Sequence, residues 1–244
     1  MQTDKLDNAT AITREIYWVG FFEETSKLQC NPFLLLDDKD VVLFDPGSIP
    51  DFPKIMRKVI DLINPHEISW IVSSHQDPDV CGNLAVVEDV IDNPQLRIAA
   101  HTNTVRLIQH LGLRSEFYPV DQHNYRATLK SGRELQFLYM PYLHSPGAIA
   151  TFDPKSGALF SGDLFGAVSK TWDIFDTQGF PHSMDEFHQA YIPSNAVLRR
   201  GLQRLEGLPV SMILPQHGSV IEGANVARAI EHLKTLPCGI DLME

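Results

Sequence analysis

The sequence predicts one α/β domain, residues 1–244, in which two β-rich halves pack face to face between outer layers of helices. Three observations predict this four-layer αβ/βα sandwich. The length of 244 residues is enough for one large hydrophobic core. Apolar strand-like segments fill both halves, and segments with apolar residues at helical spacing follow them. No linker, low-complexity tract or short-period repeat divides the chain.

The first half opens with a predicted β-meander. The segments EIYWVG, FLLL and VVLF have the composition of strands, and turn sequences such as DPG at 45–47 punctuate them. The next segment, DFPKIMRKVIDLIN at 51–64, carries its apolar residues at helical spacing. Residues 68–72, ISWIV, form an apolar run that predicts a strand buried on both faces. Strand, helix and strand in this order indicate an α/β unit.

The remaining elements repeat these two patterns. Helices are predicted at 83–93 and 104–112, on either side of a short strand at 97–100, and Gly112 is the expected C-terminal cap. A second meander follows, with the strands ELQFLYM, AIATFD and ALFS. The tail carries a helical stretch at 184–206 interrupted by Pro193, the strand VSMILP and a last helix at 223–236.

The composition excludes several classes of partner. The formal net charge is -11 and no cluster of Lys or Arg is present, so we expect no nucleic acid partner. The N-terminal sequence has acidic residues where a signal peptide has basic ones, and no segment is long and apolar enough to cross a bilayer. We therefore expect a cytoplasmic protein with no membrane partner. The 3 cysteines are far apart, which suggests neither a disulfide framework nor a thiolate zinc site.

The loop after the predicted strand at 68–72 carries three potential metal ligands. His75, Asp77 and Asp79 alternate along the sequence SSHQDPDVCG, and in an open α/β sheet such a strand end borders a cleft. Imidazole and carboxylate groups held so close together favour a metal site, but Asp-Pro-Asp is also an ordinary solvated turn sequence. The loop alone leaves both interpretations open.

Three residues elsewhere in the chain favour the metal site. His144 follows ELQFLYM, Asp163 follows ALFS and His217 follows VSMILP, so each lies where a strand passes into a loop. One histidine in such a place is more often a hydrogen-bonded structural residue than a ligand. Four strand ends that all carry His or Asp are difficult to explain by coincidence.

Six segments occur in the order found in the metallo-β-lactamase superfamily: IYWVG, LFDPG, SSHQDPDVCGNL, YLHSP, LFSGDLFGA and ILPQHG. The chain resembles that superfamily over nearly its whole length, and within it the β-lactamase-like domain of flavodiiron proteins. This resemblance implies the metallo-β-lactamase fold. Most hydrolases of the superfamily carry His-x-His-x-Asp-His in the first loop, whereas flavodiiron proteins carry His-x-Glu-x-Asp. Asp77, at the third position, is a carboxylate one methylene shorter than that Glu.

The resemblance also implies two metal ions. The implied ligands are His75, Asp77 and His144 on one ion, Asp79 and His217 on the other, and Asp163 as a bridge between them. Mixed carboxylate and imidazole ligands with open positions suit non-haem iron. Two iron ions are therefore expected, with zinc or manganese as alternatives.

The sequence departs from the superfamily at Val80, where many members have a further histidine that binds the second ion. Valine cannot ligate, which would leave that ion open to water, dioxygen or another external ligand. The alternative is that Val80 simply packs at the start of a helix and the open site goes unused. Asp45 is expected to orient a ligand or to cap its turn, and Cys81 to line the pocket or to be an inert buried thiol. The other histidines match no ligand segment and are interpreted as surface or capping residues: His66, His101, His110, His123, His182, His188 and His232.

Two classes of function follow from this site. The first is a non-haem diiron protein that binds or reacts with dioxygen, as a sensor or carrier or as an oxidoreductase fed by a separate reductase. The chain ends soon after His217, so neither a flavodoxin domain nor FMN is expected. The alternative is a dinuclear hydrolase of esters, thioesters, lactones or phosphodiesters. A degenerate domain that only scaffolds a partner is disfavoured by the six ligand positions. Expected partners are dioxygen or a small molecule and a separate reductase or signalling protein; a homodimer is left open.

Overall fold

The computed structural model describes residues 7–22, 29–168, 173–175 and 177–243. Its strands form two sheets. The seven-stranded sheet contains β1 (Thr10–Ala11), β2 (Ile16–Trp18), β3 (Phe33–Leu36), β4 (Val41–Phe44), β5 (Ile68–Val72), β6 (Arg97–Ala100) and β7 (Glu116–Pro119). The six-stranded sheet contains β8 (Arg126–Thr128), β9 (Glu134–Tyr139), β10 (Ile149–Asp153), β11 (Ala158–Gly162), β12 (Met212–Pro215) and β13 (Ile221–Glu222).

Both sheets combine a meander with parallel strands. In the first sheet, β1 to β4 are antiparallel in sequence order, and β4, β5, β6 and β7 are parallel. In the second, β8 to β11 are antiparallel, β12 is parallel to β11, and β13 closes the edge. The two predicted meanders are therefore confirmed. One difference is that β7, the first strand after the helical segment, extends the first sheet and does not begin the second.

Helices occupy the predicted segments, and one further helix of four residues lies in the segment that was expected to be a loop. They are α1 (Phe52–Leu62), α2 (Pro78–Cys81), α3 (Leu84–Ile91), α4 (Thr102–Ile108), α5 (Asp185–Tyr191), α6 (Asn195–Leu202) and α7 (Ala224–Leu233). Gly112 ends the segment after α4 with a φ of +76°, as expected for a helix C-cap. Among the described residues, no helix is long and apolar enough to span a bilayer.

Three clusters of buried apolar residues lie between the four predicted layers of helices and sheets. The central cluster lies between the sheets, where the rings of Phe44 and Phe160 stack with centroids 3.7 Å apart. A second cluster joins the first sheet to α1, α3 and α4, for example Ile71 to Val59 and Val87. The third joins the second sheet to α6 and α7. Because each sheet is covered on both faces, strands such as β5 are buried along their whole length, as the apolar run predicted.

Candidate metal centre

Five strands end at the candidate metal centre. Asp45 follows β4, the loop 73–77 and then α2 follow β5, and His144, Asp163 and His217 follow β9, β11 and β12. The last residue of β11, Gly162, has a φ of +58°, and a side chain there would meet the Cβ of Ser74 at 3.0 Å. Only glycine can adopt this φ and let the end of β11 approach Ser74 so closely without strain. The tight approach brings Asp163, from the second sheet, against the ligand loop of the first.

One ligand cluster contains His75, Asp77 and His144. One nitrogen or oxygen from each side chain lies within 4.8 Å of the others. The Nε2 atom of His144 is 3.2 Å from Oδ2 of Asp77, and Nε2 of His75 is 3.8 Å from the same oxygen. The structure thus brings together the three residues that the sequence assigns to the first ion.

A second cluster contains Asp79, His217 and Cys30. The Nε2 atom of His217 is 3.3 Å from Oδ2 of Asp79, and Sγ of Cys30 lies within 4.8 Å of a donor atom on each. Asp79 and His217 are the predicted ligands of the second ion, but Cys30 was not predicted. Its position just before β3 gives no ligand-type spacing, so no sequence signal identifies it.

Asp163 lies between the two clusters. Its Oδ2 atom is 2.8 Å from Nε2 of His144 and 3.4 Å from Nε2 of His75. Its Oδ1 atom is 3.4 Å from Nε2 of His217 in the other cluster. Each carboxylate oxygen therefore faces a different set of ligands, which is the arrangement that a bridging role requires.

The site is deep on one side and open on the other. The side chains of His75, His217 and Asp163 are 2%, 2% and 3% exposed, whereas those of Asp77 and Asp79 are 31% and 34% exposed. Among the described residues, neither Nε2 of His75 nor Oδ1 of Asp163 has a hydrogen-bond partner, although both are buried. Unpaired buried polar atoms are costly, and a bound cation would satisfy both. The donor atoms therefore fit a pair of metal ions.

The charges of these side chains depend strongly on one another. Burial opposes the ionised form of Asp163, but His75 and His217 hold its pKa well below the usual range. Burial also favours neutral His144, yet hydrogen bonds to Asp163 and Asp77 raise its pKa to about 10. A metal ion has to displace such histidine protons, because imidazole ligates in its neutral form.

Neighbouring groups fix the orientation of two of the histidines that were predicted to bind metal. The Nδ1 atom of His217 is 2.5 Å from the carbonyl oxygen of Gln29, and Nδ1 of His75 is 3.0 Å from Oγ of Ser74. In both rings Nε2 is left facing the carboxylates. This division of the ring nitrogens is typical of metal-binding histidines.

Asp45 contacts the ligand loop, one of the two roles expected for it. Its Oδ1 atom accepts a hydrogen bond from the backbone N–H of Ser74 at 2.7 Å. The side chain is buried, and burial raises its pKa to about 6. In the same turn, Gly47 N–H donates to the carbonyl of Val80 at 3.0 Å. The LFDPG turn thus holds both ends of the ligand loop.

Val80 and Cys81 are both buried. Val80 is 0% exposed and belongs to the cluster between the first sheet and its helices. The Sγ atom of Cys81 donates to the carbonyl of Asp77 at 3.2 Å, and burial raises the pKa of this thiol to about 12. Cys81 therefore packs behind the loop as a protonated thiol.

The interpretation of His188 as a surface or capping residue is wrong. His188 is 0% exposed, its Nε2 accepts from the backbone N–H of Phe165 at 3.1 Å, and its Nδ1 is 2.8 Å from the carbonyl of Met184. It ties α5 to the loop that carries Asp163. The error arose because a helical position gives no indication of a partner 23 residues earlier in the chain. His101, by contrast, does cap α4, through Asn103 N–H.

His188 is expected to make stability depend on pH. Burial lowers its pKa to about 4. Above about pH 6.5 the imidazole is neutral in the folded and in the unfolded chain, and its contribution to the free energy of unfolding is complete. As the pH falls towards 4, only the unfolded chain takes up the proton, so the free energy of unfolding decreases. The loss is on the order of 3 kcal/mol. Urea unfolding of the metal-free protein across this pH range should show a flatter dependence in His188→Gln. The exposed-residue control His110→Gln should retain the wild-type slope, and equal slopes in all three proteins would contradict the assignment.

Comparison with known proteins places this architecture in a family. A family model described as ODP family beta lactamase matches residues 28–218, a range that includes both ligand clusters. The chain belongs to the ODP family of beta lactamases. Both the predicted resemblance and the metallo-β-lactamase-type sandwich are thereby confirmed.

Solved structures and curated relatives extend this result. This chain matches a structure described as the peroxy diiron species of the chemotaxis sensor ODP, with a TM-score of 0.80 and 26% sequence identity. The match covers 96% of this chain and 97% of that one. It matches the flavodiiron protein from Giardia intestinalis with a TM-score of 0.84 and 21% identity, over 93% of this chain and 58% of that one, which shows a common fold. It is 24% identical over 194 residues to the flavo-diiron protein FprA2 of Clostridium acetobutylicum, across 77% of this chain and 48% of that protein. The chain thus spans about half of that relative's length.

Proposed function

We propose that this protein is a non-haem diiron protein that binds dioxygen. The observation that carries the proposal is Asp163, whose two oxygens face two separate clusters of histidine and carboxylate ligands. The likeness to the ODP sensor, which extends over nearly the full length of both chains, supports the same conclusion. Three Asp and three His suit iron better than an all-imidazole set would.

The proposed division of ligands follows the distances. His75, Asp77 and His144 would hold one iron, Asp79 and His217 the other, and Asp163 would contact both. When bound, a pair of ferrous ions supplies two electrons for reaction with dioxygen. The protein keeps the donor atoms in place through Asp45, Ser74 and the carbonyl of Gln29, and excludes water from the deep side of the site.

Two aromatic rings from α5 lie against the site, one beside each cluster. The ring of Phe187 lies 5.4 Å from that of His217, and the ring of Tyr191 lies 5.5 Å from that of His144. An apolar wall beside polar ligands favours a small uncharged ligand over a bulky anionic substrate. This surface supports dioxygen over the phosphodiester substrates of the alternative function.

The remaining parts of the proposal concern partners and location. A dioxygen-binding protein of this kind needs either a separate reductase to restore its electrons or a signalling protein that responds to its state. We propose that such a partner acts in the cytoplasm. The resemblance to a chemotaxis sensor favours the signalling partner.

The first experiment is purification without oxygen, followed by elemental analysis and absorption spectra before and after air is admitted. We expect two irons per chain and a new visible charge-transfer band in air. Two zinc ions and an unchanged spectrum would overturn the proposal and direct attention to ester, thioester and phosphodiester hydrolysis. A chain without metal would overturn both functions.

Replacement of Val80 by His tests the open position on the second ion. We expect Val80→His to slow the spectral change in air by at least about 10-fold, because an added imidazole would compete for that position. Val80→Leu, a matched control, adds similar bulk without a nitrogen and costs only the overpacking, about 1–3 kcal/mol of stability. Equal rates for Val80→His and wild type would show that dioxygen does not use this position.

A further inference from the structure

Cys30 is the one donor in the two clusters that the family pattern does not explain. Its side chain is 5% exposed, and its Sγ lies within 4.8 Å of donor atoms on both Asp79 and His217. It is a free cysteine. The three donor atoms come from three segments that are far apart in the chain, which is the arrangement expected of a ligand set and not of a local turn.

The backbone around Cys30 is fixed against the loop of His217. The carbonyl of Gln29, the preceding residue, lies 2.5 Å from Nδ1 of His217. Asn31, the following residue, donates from its backbone N–H to the carbonyl of Gln216 at 2.9 Å. The side chain of Asn31 also donates to the carbonyls of Pro215 and Gly218, at 3.0 and 2.7 Å. Cys30 and His217 are therefore held as one rigid unit.

The donor set at the second ion is otherwise short of one residue. Val80 has no ligating atom, and it belongs to the same buried cluster as Cys30. Cys81, the nearer cysteine in sequence, has its Sγ occupied by the carbonyl of Asp77 and belongs to neither donor group. Cys30 is thus the thiol positioned to complete the second site.

We propose that Cys30 is a further protein ligand of the second metal ion, beside Asp79, His217 and Asp163. This inference rests on the proposed two-metal centre. On binding, the S–H bond is broken, a bond forms between sulfur and the divalent ion, and the proton leaves to solvent; no electron is transferred. The ligands of the second ion would then be one thiolate, one imidazole and two carboxylates, and the first ion would have no sulfur ligand.

X-ray absorption of the zinc-loaded protein tests the assignment directly. Zinc has no redox chemistry, and a Zn–S distance of about 2.3 Å is separable from Zn–N and Zn–O distances of about 2.0–2.2 Å. The metal-free wild-type chain loaded with zinc should bind two ions and show about half a sulfur per zinc, since one sulfur serves one of two ions. Cys30→Ser should lose the sulfur signal. Cys81→Ser and Cys238→Ser, the other two buried cysteines, should retain it.

The outcomes separate the two proposals. Two zinc ions per wild-type chain without a sulfur signal would overturn the role of Cys30 and leave the two-metal centre intact. A sulfur signal that persists in Cys30→Ser and disappears in Cys81→Ser would also overturn it, by assigning the ligand to Cys81. Fewer than two zinc ions per wild-type chain would overturn the proposed centre and Cys30 with it.

Discussion

Asp163→Ala should lose both metal ions, because one oxygen of this carboxylate faces each cluster. Loss of a residue that only hydrogen-bonds to a metal ligand typically weakens metal binding by about 10–100-fold. Loss of a shared ligand should exceed about 100-fold for each ion. Elemental analysis after desalting should therefore find close to no metal in the variant, against two ions per chain in the wild type.

Controls distinguish lost ligation from a damaged fold. Asp163→Asn keeps the shape and one neutral oxygen, so it should fold as wild type while binding metal far more weakly. Asp185→Asn is a matched control, since this aspartate pairs with His182 and His232, at 3.0 and 2.5 Å, outside the two clusters. It should retain both ions. Retention of two ions by Asp163→Ala would refute the bridging role.

Arg133→Leu should destabilise the fold by about 3–5 kcal/mol, because it leaves buried carboxylates without their cation. The Arg133 side chain is 2% exposed, donates from Nε to Asp153 at 3.1 Å and from Nη1 to Glu15 at 2.8 Å, and lies 3.5 Å from Asp37. Asp153 ends β10 of the second sheet and Arg133 immediately precedes β9 of that sheet, whereas Glu15 and Asp37 flank strands of the first. One guanidinium thus joins the sheets at the end of the sandwich opposite the carboxyl ends of β9 and β11.

Urea unfolding of the metal-free protein measures this loss without the added stability of bound metal. Arg126→Ala is the matched control, because it breaks an arginine–carboxylate pair with Glu134 whose side chains are 55% and 38% exposed. Exposed pairs contribute about 0–1 kcal/mol. A loss below about 1 kcal/mol in Arg133→Leu would show that water replaces the guanidinium at Asp153.

Six ligand positions could be proposed from the sequence because each follows an apolar strand. The periodicity that predicts β5 also fixes where it ends, and His75 comes three residues after Val72. The same holds for Asp163 after β11 and His217 after β12. Parallel strands present their carboxyl ends on one edge, so ligands at several such ends converge.

Contacts between distant segments were beyond this kind of reasoning. Cys30 and His188 have no local pattern that marks them, since each acquires its role from a loop on another part of the chain. That Val80 packs at the start of a helix was one of two interpretations of the sequence, and the structure places it in the core beneath the loop. The residue type shows which bonds a side chain can form, but only the folded structure shows which partner lies within reach of it.

The sequence by itself determined the order of strands and helices, the family pattern and the residue types that offer metal ligands, because periodicity and turn chemistry are local. The family resemblance implied how those ligands divide between two ions, but only the tertiary structure decided the distances within each cluster, which oxygen of Asp163 faces which cluster, and that a thiol lies in the second. The reason is physical. The sheet packing and the close crossing at Gly162 set distances between residues far apart in the chain, and metal binding depends on those distances.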